Sequence, residues 1–129
     1  YIVRDHDASL FEARKNTLRH IEKIMNEKWG EGTVRLTLTE QYRNMAEVVA
    51  TCMHLIENAQ LAAKAAGITP LVIPIRGGTD RCQLSFRGLP CPNLGTGGHG
   101  YHGPYEHITV EGMDLATDMV VELVKLYAK

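Results

Sequence analysis

Glycine and proline punctuate residues 76–106 so densely that no long helix can run through them, and this divides the chain more firmly than any other feature. The stretch runs from Arg76-Gly-Gly-Thr-Asp80 through Gly88-Leu-Pro-Cys-Pro-Asn-Leu94 to Gly97-Gly-His99-Gly-Tyr-His102-Gly-Pro-Tyr-Glu106. Proline lacks the N–H a helix needs and its ring clashes with the preceding turn, so Gly103-Pro104 excludes a helix around His102. The same segment carries chemistry. Glycines let backbone approach a ligand closely, and histidine with glutamate is a common metal-ligand set.

On either side of this stretch the apolar spacing is regular. Ser9-Leu-Phe-Glu12 predicts a capping box. Leu10, Ala13, Thr17, Ile21 and Ile24, with Phe11, Leu18 and Met25 alongside, predict a helix to about Lys28, closed by Gly30 and Gly32. Tyr1-Ile-Val-Arg4 reads as the end of a strand. Val34, Leu36 and Leu38 alternate with Thr33, Arg35, Thr37 and Thr39, the pattern of a strand with one wet face. That β-α-β unit suits a helix layer on a small antiparallel sheet. Tyr42-Arg-Asn-Met45 reads as a connection.

A second helix is predicted over about 46–66, with Val49, Cys52, Met53, Ile56, Ala59, Gln60 and Ala63 on one face and Gly67 as its stop. Pro70–Ile75 reads as a buried strand. Thr79 or Asp80 caps a short helix to about Arg87, and residues 88–94 read as another short strand. The final helix, about Glu111–Tyr127, has the clearest stripe: Met113, Ala116, Met119, Val120, Leu123, Val124 and Tyr127. Alternating helix and strand in this half predict an α/β layer with largely parallel pairing.

Charge and composition exclude several classes. Net charge is −1 over 129 residues, which makes no electrostatic case for nucleic acid or an anionic membrane. No apolar run approaches the 18 or so residues of a membrane span. Cys52, Cys82 and Cys91 are odd in number and form no CxxC pair, favouring reduced thiols and a cytoplasmic setting. The chain opens at Tyr1, inside a strand-like segment and without an initiator Met, as a piece of a longer polypeptide would.

Spacing alone leaves the site residues with two readings each. His99 and His102 are solvent-facing loop residues, or one of them is a metal ligand delivered by a loop on a rigid scaffold. Asp80, His102, Glu106 and His107 are the candidate donors, and no spacing unites them into the three or four ligands of a zinc site. Gly77-Gly78-Thr79-Asp80 is an ordinary capped turn or an anion-binding one, beside which Arg76 offers a bidentate carboxylate partner.

The run Pro74-Ile-Arg76-Gly-Gly-Thr-Asp80, Gln83-Leu-Ser-Phe86, Gly88–Leu94, Thr96-Gly-Gly98 and Tyr101-His-Gly103 closely resembles the C-terminal region of the peptidase T family. These are tripeptide aminopeptidases among the dinuclear-zinc metallopeptidases related to carboxypeptidase G. Ile2-Val-Arg-Asp5, Phe11-Glu-Ala-Arg-Lys15 and Tyr42-Arg-Asn-Met45 resemble the second half of that family's lid, or dimerisation, domain. The resemblance implies an α/β chain: residues 1–42 as part of a small α+β lid, residues 43–129 as the C-terminal segment of the catalytic domain. It implies zinc as cofactor, two ions in the complete enzyme, with His102 as the one ligand supplied here and His99 not carried over. Arg4, Arg76 and Thr79 would face the tripeptide substrate. The general base and remaining ligands would come from the upstream part of the same polypeptide, leaving this piece inactive alone and dimerising through the lid. Gly95, Ala46-Glu-Val-Val and Arg81-Cys82 depart from the family pattern. The competing expectation is a non-catalytic dimerisation or interaction module.

Overall fold

The computed structural model describes residues 1–75 and 78–128. Five α-helices, one 3-10 turn and one short antiparallel strand pair make up the regular structure of those residues, a mixed α/β arrangement.

Helix α1 spans Ala8–Trp29. Its cap differs from the predicted capping box. Asp7, not Ser9, is the N-cap: its carboxylate accepts from the Leu10 amide at 2.9 Å, and the Ser9 hydroxyl donates to the same oxygen at 2.5 Å. A carboxylate at this position meets both the orphan amides and the positive end of the helix dipole. The Gly30 amide closes the far end on the Asn26 carbonyl at 2.9 Å.

The apolar stripe of α1 splits. Phe11, Leu18 and Met25 are half-buried, whereas Leu10, Ile21 and Ile24 stay exposed. Residues 34–40 are held by side chains of α1 and not by a strand ladder. The Asn26 amide group donates to the Val34 carbonyl at 2.9 Å and accepts from the Val34 amide at 2.8 Å. Glu22 accepts from the Leu36 amide at 2.6 Å. Lys15, its side chain only 9% exposed, donates to Glu12 and Glu40 at 2.5 Å each. Val34, Leu36 and Leu38 face inward and Arg35, Thr37 and Thr39 outward, the predicted alternation. Both edges of this segment lack ladder partners among the described residues. Residues 1–4, 70–75 and 88–94 likewise form no ladder there, where strands were expected. Leu71 and Ile73 stand 80% and 68% exposed. A strand exists only by pairing, so a suitable sequence without a neighbour remains extended chain.

The predicted second helix divides into α2 (Ala46–Val49), a 3-10 turn (Ala50–Cys52) and α3 (His54–Ala65). It stops where expected: Gly67, at φ +77°, donates to the Lys64 carbonyl at 3.0 Å and Ile68 to the Ala63 carbonyl at 2.8 Å. This pair of bonds is the Schellman ending that a glycine in the left-handed region makes accessible. Helix α4 (Asp80–Phe86) follows, and α5 (Val110–Tyr127) is capped by the Thr109 hydroxyl accepting from the Gly112 amide at 3.0 Å.

Helices α3 and α5 form the core. Ala62, Ala63 and Met119 are buried together, with Ala66, Ile68, Leu94, Leu123 and Leu126 packed around them. The alanines let the two helices approach, and Met119 fills the seam. The stripe of α5 also splits, with Met113, Val120, Val124 and Tyr127 left exposed. No helix among the described residues is long and apolar enough to cross a membrane.

Candidate functional site

The loop between α4 and α5 is organised by strands β1 (Gly98–His99) and β2 (His107–Ile108), paired antiparallel with His99 opposite His107. Their imidazoles stack with centroids 5.5 Å apart and planes 29° from parallel. Between them the chain turns twice, Gly103 donating to the Gly100 carbonyl at 3.0 Å and Glu106 to the Gly103 carbonyl at 3.2 Å. His102 sits on this turn at φ +61°, the one non-glycine residue with positive φ among those described. A left-handed backbone is uncommon for a residue with a Cβ and persists only where neighbours enforce it. Here the His102 amide donates to Glu106 Oε2 at 3.1 Å, and the side chain is exposed.

The second place is the turn before α4. Thr79 is the N-cap by backbone, but its hydroxyl lies 3.6 Å from Cys82 Sγ and caps no amide. Asp80 accepts from the Tyr42 hydroxyl at 3.2 Å, and that bond, followed by the carboxylate's charge, pushes the Tyr42 phenol above its usual range. The Arg81 guanidinium donates to the Asn93 side chain at 2.8 Å. Tyr42, Gly78, Thr79, Asp80 and Arg81 line a shallow, open depression.

Thr79 therefore belongs to the turn opening α4 and His102 to the turn between β1 and β2, while Arg4 lies exposed on the extended start of the chain. Arg76 lies outside the described residues. Among the described residues no three His, Cys, Asp or Glu side chains are grouped as a metal site requires. The donors in this chain do not by themselves make a zinc centre, which needs three or four ligands. His102 fits one ligand position at most.

Sequence reasoning passed over Tyr42–Met45. It is a joint, not a plain connection. The Gln41 carbonyl just before it accepts from Gln83. The Arg43 guanidinium lies 4.5 Å over the Phe86 ring, and Asn44 donates to the His6 carbonyl at 2.8 Å. Met45 Sδ accepts from the hydroxyl of Ser85, which is 2% exposed and itself accepts from the Cys91 amide at 3.0 Å. The available signal was composition: Tyr, Arg and Met are packing side chains, not the Gly and Ser of a flexible linker.

Compared with known proteins, the chain matches peptidases along its whole length. The relatives carry the name peptidase T: that of Caldanaerobacter subterraneus subsp. tengcongensis is 50% identical over 129 residues. Those of Alkaliphilus oremlandii and Clostridium perfringens are 48% and 47% identical over the same 129 residues. In each case the alignment takes in 100% of this chain and 32% of the relative. The chain is thus homologous to a segment of peptidase T and spans about a third of the length of the curated relatives it matches. No protein-family profile matches it.

Proposed function

We propose that this chain is the C-terminal part of a zinc-dependent aminopeptidase that removes the N-terminal residue of tripeptides. The observation that carries the reading is homology to peptidase T over all 129 residues at 43–50% identity, a stretch that includes Thr79 and His102. In this reading residues 1–42 end a lid domain through which the enzyme dimerises, and residues 43–129 end the catalytic domain. The complete enzyme works in the cytoplasm, and this segment alone is inactive.

His102 would be the zinc ligand supplied by this chain. Its left-handed backbone, held by Glu106, supports choosing it over His99, which is paired into β1 and stacked on His107. When bound, zinc acts as a Lewis acid and lowers the pKa of a coordinated water. Arg4 and Arg76 would hold the peptide carboxylate or the charge that develops on the reacting carbonyl, since a guanidinium offers two parallel donors. Thr79 would line the same pocket. The exposed apolar sides of α1 and α5, and the unladdered segments 34–40 and 70–75, support a larger structure that covers them.

The test is hydrolysis by the intact polypeptide. Purified with zinc, it should release the N-terminal residue from free tripeptides and lose that activity on chelation. This segment alone should release none. Absence of tripeptide hydrolysis by the zinc-loaded intact protein would overturn the reading.

A further inference from the structure

We infer that Tyr42 is a positioning residue for the Gly78–Asp80 turn, coupling the first 44 residues to the point where α4 begins. The inference deepens the proposed function, and its kinetic arm rests on that reading, because Thr79 within this turn is there assigned to the substrate.

Two contacts of Tyr42 meet the turn from one side. Its hydroxyl donates to Asp80 Oδ1 at 3.2 Å. Its ring lies so close to Gly78 that a methyl group there would occupy the ring's own space. Gly78 is therefore required by the approach of an aromatic ring and not by its backbone angle. Tyr42 thus touches the residues on both sides of Thr79 while making no cap of its own.

Within the turn itself, among the described residues, Thr79 makes no side-chain cap bond: its carbonyl accepts from the Cys82 amide at 3.0 Å and its hydroxyl lies 3.6 Å from Cys82 Sγ. Tyr42, by contrast, is anchored by its neighbours. Gln83 donates to the Gln41 carbonyl, Arg43 stacks over Phe86, and Ser85 donates to Met45, so three side chains of α4 grip the segment around it. Asn44 extends the connection to the His6 carbonyl. A phenol on a base fastened to α4 can fix the turn that leads into α4. Geometry of that kind is how supporting residues preorganise a site without touching the ligand.

Kinetics of the intact polypeptide on a free tripeptide test the coupling. Tyr42→Phe keeps the ring and loses one hydrogen bond, so KM should rise about threefold to tenfold while kcat stays within about twofold. Asp80→Ala should match it, and the double variant should be no worse than the worse single one, because both remove the same contact. Asp80→Asn, which retains the acceptor oxygen, should restore KM toward the unsubstituted value. Gly78→Ala should raise KM at least as much as Tyr42→Phe. Additive KM effects of Tyr42→Phe and Asp80→Ala, or a loss confined to kcat, would overturn the inference.

A second readout does not depend on turnover. With tyrosines labelled at 13Cζ, the Tyr42 signal is the one missing in Tyr42→Phe. It should titrate above the ordinary 10.0, because the hydrogen bond to Asp80 and then that carboxylate's charge favour the neutral phenol. Asp80→Ala should bring it back down. A Tyr42 titration indifferent to Asp80→Ala overturns the inference whatever the activity. An Asp80-dependent titration in a protein that hydrolyses no tripeptide supports the contact and removes the functional reading instead.

Discussion

The backbone amide of His102, at φ +61°, donates to the Glu106 carboxylate at 3.1 Å. The five residues 102–106 are thereby closed into a turn that leaves the His102 side chain exposed. Because asparagine tolerates the left-handed region and supplies no imidazole, it separates conformation from chemistry at this position.

In the intact polypeptide, His102→Asn should preserve the fold while lowering kcat by about two orders of magnitude or more and reducing bound zinc, as expected for loss of a metal ligand. His99→Asn should change kcat less than about threefold. Paired measurement of turnover and metal content checks both. Equal damage from the two substitutions would remove the assignment of His102.

Asn26 is the only side chain that meets both backbone groups of Val34, at 2.9 and 2.8 Å, among the described residues. Asn26→Ala strands a partly buried donor and acceptor, so it should destabilise the packing of 34–40 on α1 by about 1–3 kcal/mol. Asn26→Asp should be no milder, because a carboxylate cannot donate to the Val34 carbonyl. Amide exchange at Val34 and Leu36, whose amides donate to Asn26 and Glu22, should quicken in both variants and reads the effect directly.

The Lys15–Glu40 pair ties the same segment to α1 and gives it a pH dependence. The Lys15 bond holds Glu40 below its ordinary value of 4.5, so the stabilisation is present above that value and is lost as pH falls through the lowered one. Glu12, then Glu40, hold Lys15 above its ordinary 10.5, so its contribution is complete below that value and fades as pH rises through the raised one. Residues 33–40 should therefore protect their amides best between these limits and loosen in acid. Glu40→Gln should flatten the part of the acid response that belongs to this pair, which local exchange separates from that of Asp5 and Asp7. Their carboxylates are also held low: Asp5 by the Asp7 amide and then by Arg14, Asp7 by the Ser9 hydroxyl and then by the Leu10 amide.

Met119 is 7% exposed and fills the seam beside Ala62 and Ala63. Met119→Ala should leave a cavity between α3 and α5 and cost about 2–5 kcal/mol. Val124→Ala, on the exposed side of the same helix, should cost under about 1 kcal/mol in this segment alone. A larger cost for Val124→Ala in the intact polypeptide would show that upstream chain covers that side. Thermal or denaturant unfolding of both forms provides the comparison.

Sequence by itself determined what rests on local interactions. The extents of α1 and α5 follow from apolar spacing at helical period, that of α4 from the Thr79-Asp80 start signal, and Gly67 stops α3 because a residue without a Cβ enters the left-handed region cheaply. The one-sidedness of Val34, Leu36 and Leu38 was legible for the same reason: alternation is a property of extended chain, paired or not. Asp7 displaced Ser9 as the cap of α1 because two oxygen-bearing side chains compete there, and which one the chain's entry favours is geometric. Only the tertiary structure decided which half of each helix stripe is covered. Met119 and Leu123 pack into the core with α3, while Val120 and Val124 of the same stripe stay exposed. It alone decided that 34–40 is fastened by Asn26, Glu22 and Lys15, that His99 faces His107, that His102 takes a left-handed backbone beneath Glu106, and that Tyr42 meets Asp80 across 38 residues of chain. The distant contacts, Tyr42–Asp80 and Lys15–Glu40, close long loops between groups with no shared periodicity, and the nearer ones depend on turn geometry that apolar spacing does not encode, so neither leaves a mark in spacing.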